Sequence, residues 1–326
     1  MADAVLEVRD LCVDYATRSA PAKAVERVSF DLHRGEFMAI VGESGCGKST
    51  LLFAIARLLS PPAELTGGDV RFNGTSMVQL GEKQLRALRW RDFSVVMQSA
   101  MNALNPVKSI AAQYRDAMRA HDKHLSKAAI EERSREVLLL VGIDPVHLHS
   151  YPHQLSGGMR QRAMIAMALL FSPELILMDE PTSALDVVAQ RSLMTKVKEL
   201  QERLGFAIIF VTHDMSLVSN FSDRLAVMYA GQVSEIGPTE LLFSDPKHPY
   251  TKGLLDAFPS IYGERVELVG IPGSPPDLSD PPGGCHFHPR CGEASERCAS
   301  TAPGLYDLGD RQVRCLLYAD EGTDRG

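Results

Sequence analysis

The segment that decides the fold is Gly42-Glu43-Ser44-Gly45-Cys46-Gly47-Lys48-Ser49, which fits the pattern G-x-x-x-x-G-K-[ST]. It follows an apolar run, Phe37 to Val41, and precedes a run of helical character from Thr50 to Leu59. A strand, a glycine-rich loop and a helix in this order point backbone N–H groups and a helix N-terminus at a polyphosphate. The pattern therefore predicts nucleotide binding, with Lys48 on the β/γ-phosphates and Ser49 on Mg²⁺.

The nucleotide contacts predicted from this loop come from eight residues. They are Gly42, Ser44, Gly45, Cys46, Gly47, Lys48, Ser49 and Thr50.

Composition excludes several other classes of protein. The chain has 326 residues, 45% hydrophobic and 23% charged, which is ordinary for a globular protein. Its net charge of −7 and the lack of a dense Lys/Arg tract argue against a nucleic-acid partner. Met1 to Val5 do not have the layout of a signal peptide, and the longest apolar stretch, Ala163 to Phe171, is too short to span a membrane. We expect a soluble protein that is able to dock on a membrane complex.

Apolar runs alternate with helical patterns along the first two-thirds of the chain. This alternation predicts an α/β protein with a mainly parallel sheet, in which ligand sites gather at the carboxyl ends of the strands. Gln98, Asp179, Glu180 and His213 each end or follow an apolar run. We therefore expect them to form one site with the glycine-rich loop, and we place Tyr15 in a loop between the first two strands.

Two further stretches are ambiguous when taken alone. Leu155-Ser156-Gly157-Gly158-Met159-Arg160-Gln161 opens an apolar helix, and its serine and glycines are also explained by a simple N-cap. Near the C-terminus, Cys285, Cys291, Cys298 and Cys315 have the spacing C-x5-C-x6-C-x16-C in a segment rich in proline and glycine. Four thiolates suit [4Fe–4S] or structural Zn²⁺, although zinc favours closer pairs, and free thiols or disulfides remain alternatives.

Together these motifs resemble the ATPase subunits of ABC transporters, because six of them occur in the order and approximate spacing of that family. They are the glycine-rich loop, Gln98, the Leu-Ser-Gly-Gly-x-x-Gln signature, the 175–180 run, Ser183-Ala184-Leu185-Asp186 and His213. The likeness covers residues 5–235. His248-Pro249-Tyr250-Thr251 and the Cys-His-Phe-His-Pro-Arg-Cys stretch at 285–291 are similar to the C-terminal extension of dipeptide/oligopeptide permease ATPases.

The resemblance implies a P-loop NTPase core with an antiparallel β subdomain and a helical subdomain, plus a cysteine-bearing C-terminal extension. The expected boundaries are 1–235 for the nucleotide-binding domain, about 99–160 for its helical subdomain, and 236–326 for the extension. It also implies that the four cysteines hold [4Fe–4S].

The resemblance further implies roles for the remaining site residues. Tyr15 would stack on adenine, Asp179 would hold Mg²⁺, and Glu180 would polarise the attacking water. Gln98 would sense the γ-phosphate and Mg²⁺, and His213 would contact the γ-phosphate. The signature residues would serve an ATP held by an opposing subunit; they are Ser156, Gly157 and Gly158.

The implied function is ATP hydrolysis that powers import of di- or oligopeptides from the cytoplasmic face of the cell membrane. The expected partners are a second ATPase subunit, two integral-membrane permease subunits and, indirectly, an extracytoplasmic substrate-binding protein. Nickel, glycosides and antimicrobial peptides are alternative cargoes. A soluble ABC ATPase acting in DNA repair or on ribosomes is a less favoured alternative, because no long coiled-coil insertion or second cassette is present in the sequence.

Overall fold

The computed structural model describes residues 4–18, 20–98, 103–257, 270–320 and 323–324. The chain divides into two compact units. The first unit comprises Met1–Val5, His33–Glu36 and Gln79–Phe210. The second unit comprises Leu6–Leu32, Phe37–Val78 and Val211–Gly326.

The elements are numbered in chain order. The strands are β1 (Ala4–Tyr15), β2 (Ala22–His33), β3 (Phe37–Val41), β4 (Ala63–Phe72), β5 (Thr75–Ser76), β6 (Phe93–Val96), β7 (Leu175–Asp179), β8 (Ala207–Val211), β9 (Arg224–Tyr229), β10 (Gln232–Pro238), β11 (Tyr306–Asp307), β12 (Gln312–Val313) and β13 (Thr323–Asp324). The helices are α1 (Lys48–Ile55), α2 (Glu82–Leu88), α3 (Ile110–His121), α4 (Lys127–Leu140), α5 (Gly157–Ala168), α6 (Val187–Leu204), α7 (Met215–Phe221), α8 (Thr239–Ser244), α9 (Pro249–Asp256) and α10 (Glu296–Ser300). Short 3₁₀ turns occur at Pro145–His149, Pro152–Gln154, His288–Arg290 and Leu316–Tyr318.

In the first unit, β6 and β7 run parallel, and β8 is the next strand beyond β7. Every residue of β7 is buried, and the strand reads as a continuous apolar run ending in Asp179. Continuous apolar runs are typical of strands covered on both faces. The parallel arrangement predicted from the alternation of strands and helices is confirmed for β6 and β7.

The helical part of the first unit is built on serine caps and one buried tyrosine. Ser109 and Ser126 accept hydrogen bonds from the first turns of α3 and α4, which satisfies N–H groups that have no partner inside a helix. Tyr114 on α3 is fully buried, and its hydroxyl donates to the Ala163 carbonyl of α5 at 2.6 Å. This bond fixes α3 against the helix that begins at the Ser-Gly-Gly signature.

The second unit contains a four-stranded sheet in the order β2-β1-β4-β5, in which β4 pairs antiparallel with both β1 and β5. This sheet agrees with the antiparallel β subdomain implied by the resemblance. In the same unit β3 pairs parallel with β9, and β9 turns back antiparallel into β10 at Ala230 and Gly231. Sequence reasoning missed β9 and β10. The predicted parallel pairing is confirmed for β3 and β9, whereas the antiparallel strands β10 to β13 make the sheet a mixed one.

Several element boundaries differ from those predicted. The residue Tyr15 is the last residue of β1, so its placement in a loop was wrong. The helix predicted at 50–59 is α1, which begins at Lys48 because the left-handed Gly47 ends the loop there. The sequence pattern also predicts a helix at 187–204 and an apolar strand at 207–211, and these are observed as α6 and β8.

The C-terminal segment contains more packed structure than its composition predicted. The dense prolines at 259–282 predict an extended connector, and the low apolar content of the segment after it predicts a tail without a core. Residues 258–269 lie outside the described part. In the described tail, Phe287, Leu305, Tyr306 and Val313 are buried, and β12 pairs antiparallel with β10. The expectation of a coreless tail was wrong, because the tail adds strands to an existing sheet and does not build a core alone.

Among the described helices, none combines the length and the apolar character needed to cross a bilayer.

Candidate functional site: a phosphate-binding loop

The glycine-rich loop joins β3 to α1 in the second unit and has a backbone that only glycine accommodates at two points. Gly42 has φ +151°, and a Cβ there would lie 2.1 Å from the Met228 carbonyl oxygen. Gly47 has φ +104°, and its Cβ would lie 2.0 Å from the Ala24 carbonyl oxygen. Side chains at either position would collide with fixed backbone. The pattern of glycines is therefore a requirement of the loop's shape.

Lys48 is the first residue of α1, and its ammonium group folds back onto the loop. It is only 7% exposed, and its Nζ donates to the carbonyl oxygens of Gly42 and Glu43, both at 2.8 Å. A buried ammonium needs such acceptors. Together with the N-terminus of α1, it gives the loop the positive potential that an anionic ligand requires.

The other predicted loop residues differ in their exposure. Ser44 and Gly45 are exposed, and Ser49 is half-buried at the second residue of α1. The thiol of Cys46 is buried, and burial raises its pKa, while Lys48 Nζ lies 3.7 Å from its sulfur. Cys46 is thus a neutral packing residue of the loop.

Tyr15 and Thr50 are brought together although they are far apart in sequence. The Tyr15 hydroxyl and Thr50 Oγ1 are 3.1 Å apart and share a hydrogen bond. Tyr15 is half-buried at the end of β1, and Thr50 is buried in the first turn of α1. This bond anchors the edge of the Tyr15 ring beside the helix that follows the loop.

His213 also lies in the second unit, beside the strand that feeds the loop. The backbone N–H of the preceding residue, Thr212, donates to the Ile40 carbonyl of β3 at 3.2 Å. His213 itself is exposed, and the next residue, Asp214, caps α7 by accepting from the N–H groups of Ser216 and Leu217. Tyr15, the loop and His213 therefore belong to the same compact unit.

The first unit brings together Gln98, Asp179 and Glu180. Asp179 ends β7 and is 2% exposed. Glu180 has φ +42°, which is strained for a residue with a side chain. Gln98 Nε2 donates to Glu180 Oε2 at 2.8 Å, which fixes the direction of the carboxylate. Strain at a residue of this type commonly accompanies function, because the surrounding structure must over-determine it.

The Ser-Gly-Gly signature lies at the start of α5 in the first unit. Ser156 is the exposed N-cap and accepts from the Met159 N–H at 3.2 Å. Gly157 and Gly158 form the first turn, and a Cβ on Gly158 would meet nothing within 4 Å. The N-cap interpretation is confirmed, and the open space beside Gly158 leaves the helix N-terminus accessible.

The four C-terminal cysteines are half-buried free thiols. The Cys285 N–H donates to the Cys298 carbonyl at 2.8 Å, and burial, with a smaller contribution from the other three thiols, raises the pKa of Cys315 to about 11. Within the described ranges, no three His, Cys, Asp or Glu side chains are arranged to hold a metal ion.

Two tail histidines are engaged with backbone. His286 Nδ1 lies 3.2 Å from the Ala230 carbonyl oxygen, and His288 Nδ1 donates to the Cys285 carbonyl at 2.9 Å. The sequence offers both histidines as alternative metal ligands beside the cysteines or as flanking loop residues, and these contacts favour loop residues.

Sequence reasoning missed two residues that touch the loop, Tyr250 and Arg290. The Tyr250 hydroxyl accepts from the Glu43 N–H at 2.9 Å, and the Arg290 guanidinium pairs with the Glu43 carboxylate. Both residues stood in stretches noticed only for their family likeness, and nothing in their spacing pointed to the loop.

Comparison with known proteins agrees with this arrangement. The family model for the ABC transporter matches residues 25–183, and that for the oligopeptide/dipeptide transporter C-terminal region matches residues 234–298. The dipeptide transport ATP-binding protein DppD of Bacillus subtilis is 44% identical, covering 96% of this chain and 94% of its own. The oligopeptide transport ATP-binding protein OppD of Salmonella typhimurium is 43% identical, covering 98% and 96%.

Solved structures give the same result at lower identity. A dimeric ATP-binding cassette in a post-hydrolysis state, bound to ADP and Pi, is 28% identical with a TM-score of 0.64, covering 72% of this chain and 98% of that one. A subunit of an ABC transporter complex from Clostridium perfringens is also 28% identical, with a TM-score of 0.63, covering 74% and 92%. The chain therefore belongs to the ABC transporter family, among its dipeptide and oligopeptide transport ATP-binding proteins.

Proposed function

We propose that this protein is the ATP-hydrolysing subunit that powers import of di- and oligopeptides through a membrane ABC transporter. The observation that carries the proposal is the phosphate-binding loop, with Lys48 buried over it at the start of α1. Its family membership, at 44% identity to a dipeptide transport ATP-binding protein over nearly the whole chain, supports the transport role and the cargo class.

In this proposal the loop and its surroundings bind ATP. Tyr15 stacks on the adenine ring, and the backbone N–H groups from Ser44 to Thr50 surround the phosphates. Lys48 is the point charge on the β/γ-phosphates. The bond between Tyr15 and Thr50 supports this assignment, since it ties the base-binding ring to the phosphate-binding helix.

Ser49, Asp179 and Gln98 carry the oxygen donors that Mg²⁺ prefers. Ser49 would contribute a hydroxyl and Asp179 a carboxylate, with Gln98 as a further oxygen donor. Mg²⁺ keeps several waters and substrate phosphates, so it needs only one or two such protein ligands. When bound, the ion neutralises charge on the phosphate oxygens.

Hydrolysis then depends on positioning. Glu180 orients and polarises the attacking water, Gln98 holds the Glu180 carboxylate, and His213 contacts the γ-phosphate. The 2.8 Å hydrogen bond between Gln98 and Glu180 supports a shared role for those two residues. Phosphoryl transfer requires little else from a protein, because charge stabilisation and alignment supply most of the rate.

A second ATPase domain completes the site. Ser156, Gly157 and Gly158 present a hydroxyl, backbone N–H groups and a helix N-terminus, which together suit the γ-phosphate of an ATP bound to the opposing subunit. The accessible N-terminus of α5 supports this, as does the likeness to a dimeric cassette bound to ADP and Pi. ATP would join two ATPase domains, and hydrolysis would let them separate.

Membership in the family supports the rest of the proposed assembly. The partners are a second ATPase subunit, two integral-membrane permease subunits and an extracytoplasmic substrate-binding protein that acts indirectly, with this chain on the cytoplasmic face of the membrane.

Residues 1–235 form the nucleotide-binding domain, with its helical subdomain at about 99–160, and residues 236–326 form the extension. The match of the C-terminal family model to 234–298 supports the last boundary.

The test of ATP hydrolysis is Glu180→Gln. It keeps the side chain's size but removes the base, so ATP binding should persist while turnover falls by roughly 10²–10⁴-fold. Glu202→Gln, an exposed position on α6, is the matched control and should leave turnover unchanged. Normal turnover in Glu180→Gln would disprove the assignment of the base.

The cargo is tested on the purified membrane complex with its binding protein. Di- and oligopeptides should stimulate ATP hydrolysis. Stimulation by nickel or by glycosides instead, with no response to peptides, would reassign the cargo and leave the ATPase assignment intact.

We also propose that Cys285, Cys291, Cys298 and Cys315 hold a [4Fe–4S] cluster, with Zn²⁺ as the alternative. The chemistry of the donors fits, since four free thiols lie in a tail built of short elements. Binding would require these side chains to converge, because no three metal-binding side chains of the described residues surround a common point. A cluster would cross-link the tail through its four cysteine ligands. Anaerobically purified protein should contain about four iron atoms and absorb broadly near ~400 nm. Colourless protein holding one zinc per chain would favour the alternative, and protein free of both metals would refute the site.

A further inference from the structure

Glu43 is an acidic residue inside a loop built to bind an anion, and the C-terminal segment neutralises it. Arg290 Nη1 donates to Glu43 Oε2 at 2.7 Å, and Arg290 Nη2 donates to Glu43 Oε1 at 2.9 Å. This is a bidentate, charge-assisted pair, the strongest ordinary hydrogen-bonding geometry between side chains. The Tyr250 hydroxyl accepts from the Glu43 N–H, so both the backbone and the carboxylate of this residue are held from the same segment.

Arg290 is rigidly placed for this contact. Its side chain is 6% exposed, against 25% for Glu43, and its Nε donates to the Pro272 carbonyl at 2.8 Å. The guanidinium lies 5.7 Å from the centroid of the Tyr229 ring. Because Arg290 is buried and Glu43 is half-buried, solvent screens this pair less than it screens an ion pair on the open surface.

An aromatic cluster beneath the pair fixes Tyr250 as well. The ring centroids of Tyr229 and Tyr250 are 4.6 Å apart, and the ring of Phe287 lies 5.1 Å and 5.4 Å from them. Phe287 belongs to the tail stretch that carries Arg290, whereas Tyr229 ends the strand β9 beside β3. The tail is therefore packed directly onto the part of the sheet that feeds the loop.

The contacts continue from Glu43 to the lysine of the loop. The Glu43 carbonyl is one of the two that accept from Lys48 Nζ. A displaced Glu43 would move an acceptor of Lys48, and an unpaired Glu43 carboxylate would repel a triphosphate at short range.

We propose that Arg290 and Tyr250 are positioning residues for ATP, through which nucleotide affinity depends on the cysteine-bearing tail. Arg290 cancels the negative charge of Glu43 inside the loop, and Tyr250 fixes the Glu43 backbone. The proposal rests on the proposed function, in which this loop binds the triphosphate.

The experiment measures the affinity of the full chain for a non-hydrolysable ATP analogue. Arg290→Met should weaken binding about tenfold, because it exposes the phosphates to an uncompensated carboxylate, and Arg290→Lys, which keeps the charge but loses the fork, should weaken it less. The double variant Arg290→Met/Glu43→Gln should regain most of the lost affinity, since the repelling charge is gone. Tyr250→Phe should weaken binding by about threefold.

Two matched controls and one reference make the outcome decisive. Arg297→Met removes an exposed arginine of the same tail, and Tyr318→Phe removes a tail hydroxyl that donates to the Lys247 carbonyl; neither should change affinity. Lys48→Ala should lose binding. If Lys48→Ala bound the analogue normally, the proposed function would be wrong.

Loss of binding in Lys48→Ala together with unchanged affinity in Arg290→Met would overturn only the role of the tail. A double variant as weak as Arg290→Met would also overturn it, because a purely architectural contribution of Arg290 is not rescued by removing the charge of Glu43. If Arg290→Met does not fold, Arg290→Gln, which also removes the charge but keeps hydrogen-bonding groups, and its combination with Glu43→Gln carry the same two outcomes.

Discussion

Removing the carboxylate of Glu235 should lower the free energy of unfolding more than substituting an exposed glutamate does. Glu235 lies on β10 with no exposed surface, and its carboxylate accepts from the Lys247 N–H at 3.0 Å and the His248 N–H at 2.9 Å. Arg311 Nη1, on a side chain that is 2% exposed, lies 3.6 Å from Glu235 Oε1. The Glu235 carboxylate thus accepts the backbone N–H groups of the turn before α9 and also compensates the charge of Arg311 in the tail.

The magnitude follows from what Glu235→Ala leaves behind. Breaking a buried ion pair by removing one partner costs about 3–5 kcal/mol, because the other charge remains buried. Arg311 keeps contacts with Asp245 and Asp310, which places the expected loss near the lower end, about 3 kcal/mol. Glu235→Gln keeps one acceptor oxygen and the volume, so it should cost about 1–2 kcal/mol.

The assay is urea unfolding followed by circular dichroism, which reports the change in midpoint at a constant slope. Glu240→Ala, on the exposed face of α8, is the control and should shift the free energy of unfolding by less than about 0.5 kcal/mol. A loss below about 1 kcal/mol for Glu235→Ala would refute the reasoning that this carboxylate ties the tail to the sheet.

Two further predictions concern pH and nucleotide. Burial lowers the pKa of His248 to about 3, whereas the unfolded chain binds a proton on this side chain below about pH 6.5. The free energy of unfolding should therefore have its full value above about pH 6.5. It should fall by up to about 1.4 kcal/mol per pH unit as the pH decreases towards 3. His248→Asn keeps a cap for the Tyr250 N–H and should flatten this dependence in acid unfolding, whereas exposed His124→Asn should not. Tyr15→Ala should weaken nucleotide binding about tenfold by fluorescence titration, and Tyr15→Phe, which retains the ring, by no more than about threefold. Equal affinities for Tyr15→Ala and the native chain would contradict stacking.

Local chemistry made the loop and the strand-end residues predictable from the sequence. Gly42 and Gly47 are needed because of their own backbone angles and nearby carbonyls, so the pattern that contains them has few other uses. Asp179 ends a continuous apolar run, which marks a buried strand in any context. Ser156 followed by two glycines predicted the start of α5 by capping alone.

Other elements were not predictable because their causes are distant in sequence. The strands β9 and β10 read as ordinary apolar stretches until β3 and β12 provide the edges that they pair with. The tail was expected to lack a core, since its apolar residues are few. Its stability comes from packing onto the sheet and from buried arginines such as Arg311 and Arg314, whose partners lie far along the chain.

The sequence by itself determined that a triphosphate-binding loop exists, where it begins and which strand and helix flank it, because glycine conformation and apolar periodicity act over a few residues. Only the tertiary structure decided that Glu43 within that loop is neutralised by Arg290, 247 positions further on. No local pattern encodes such a pair, since its energy arises from two charges that meet only after the intervening chain has folded and excluded water around them.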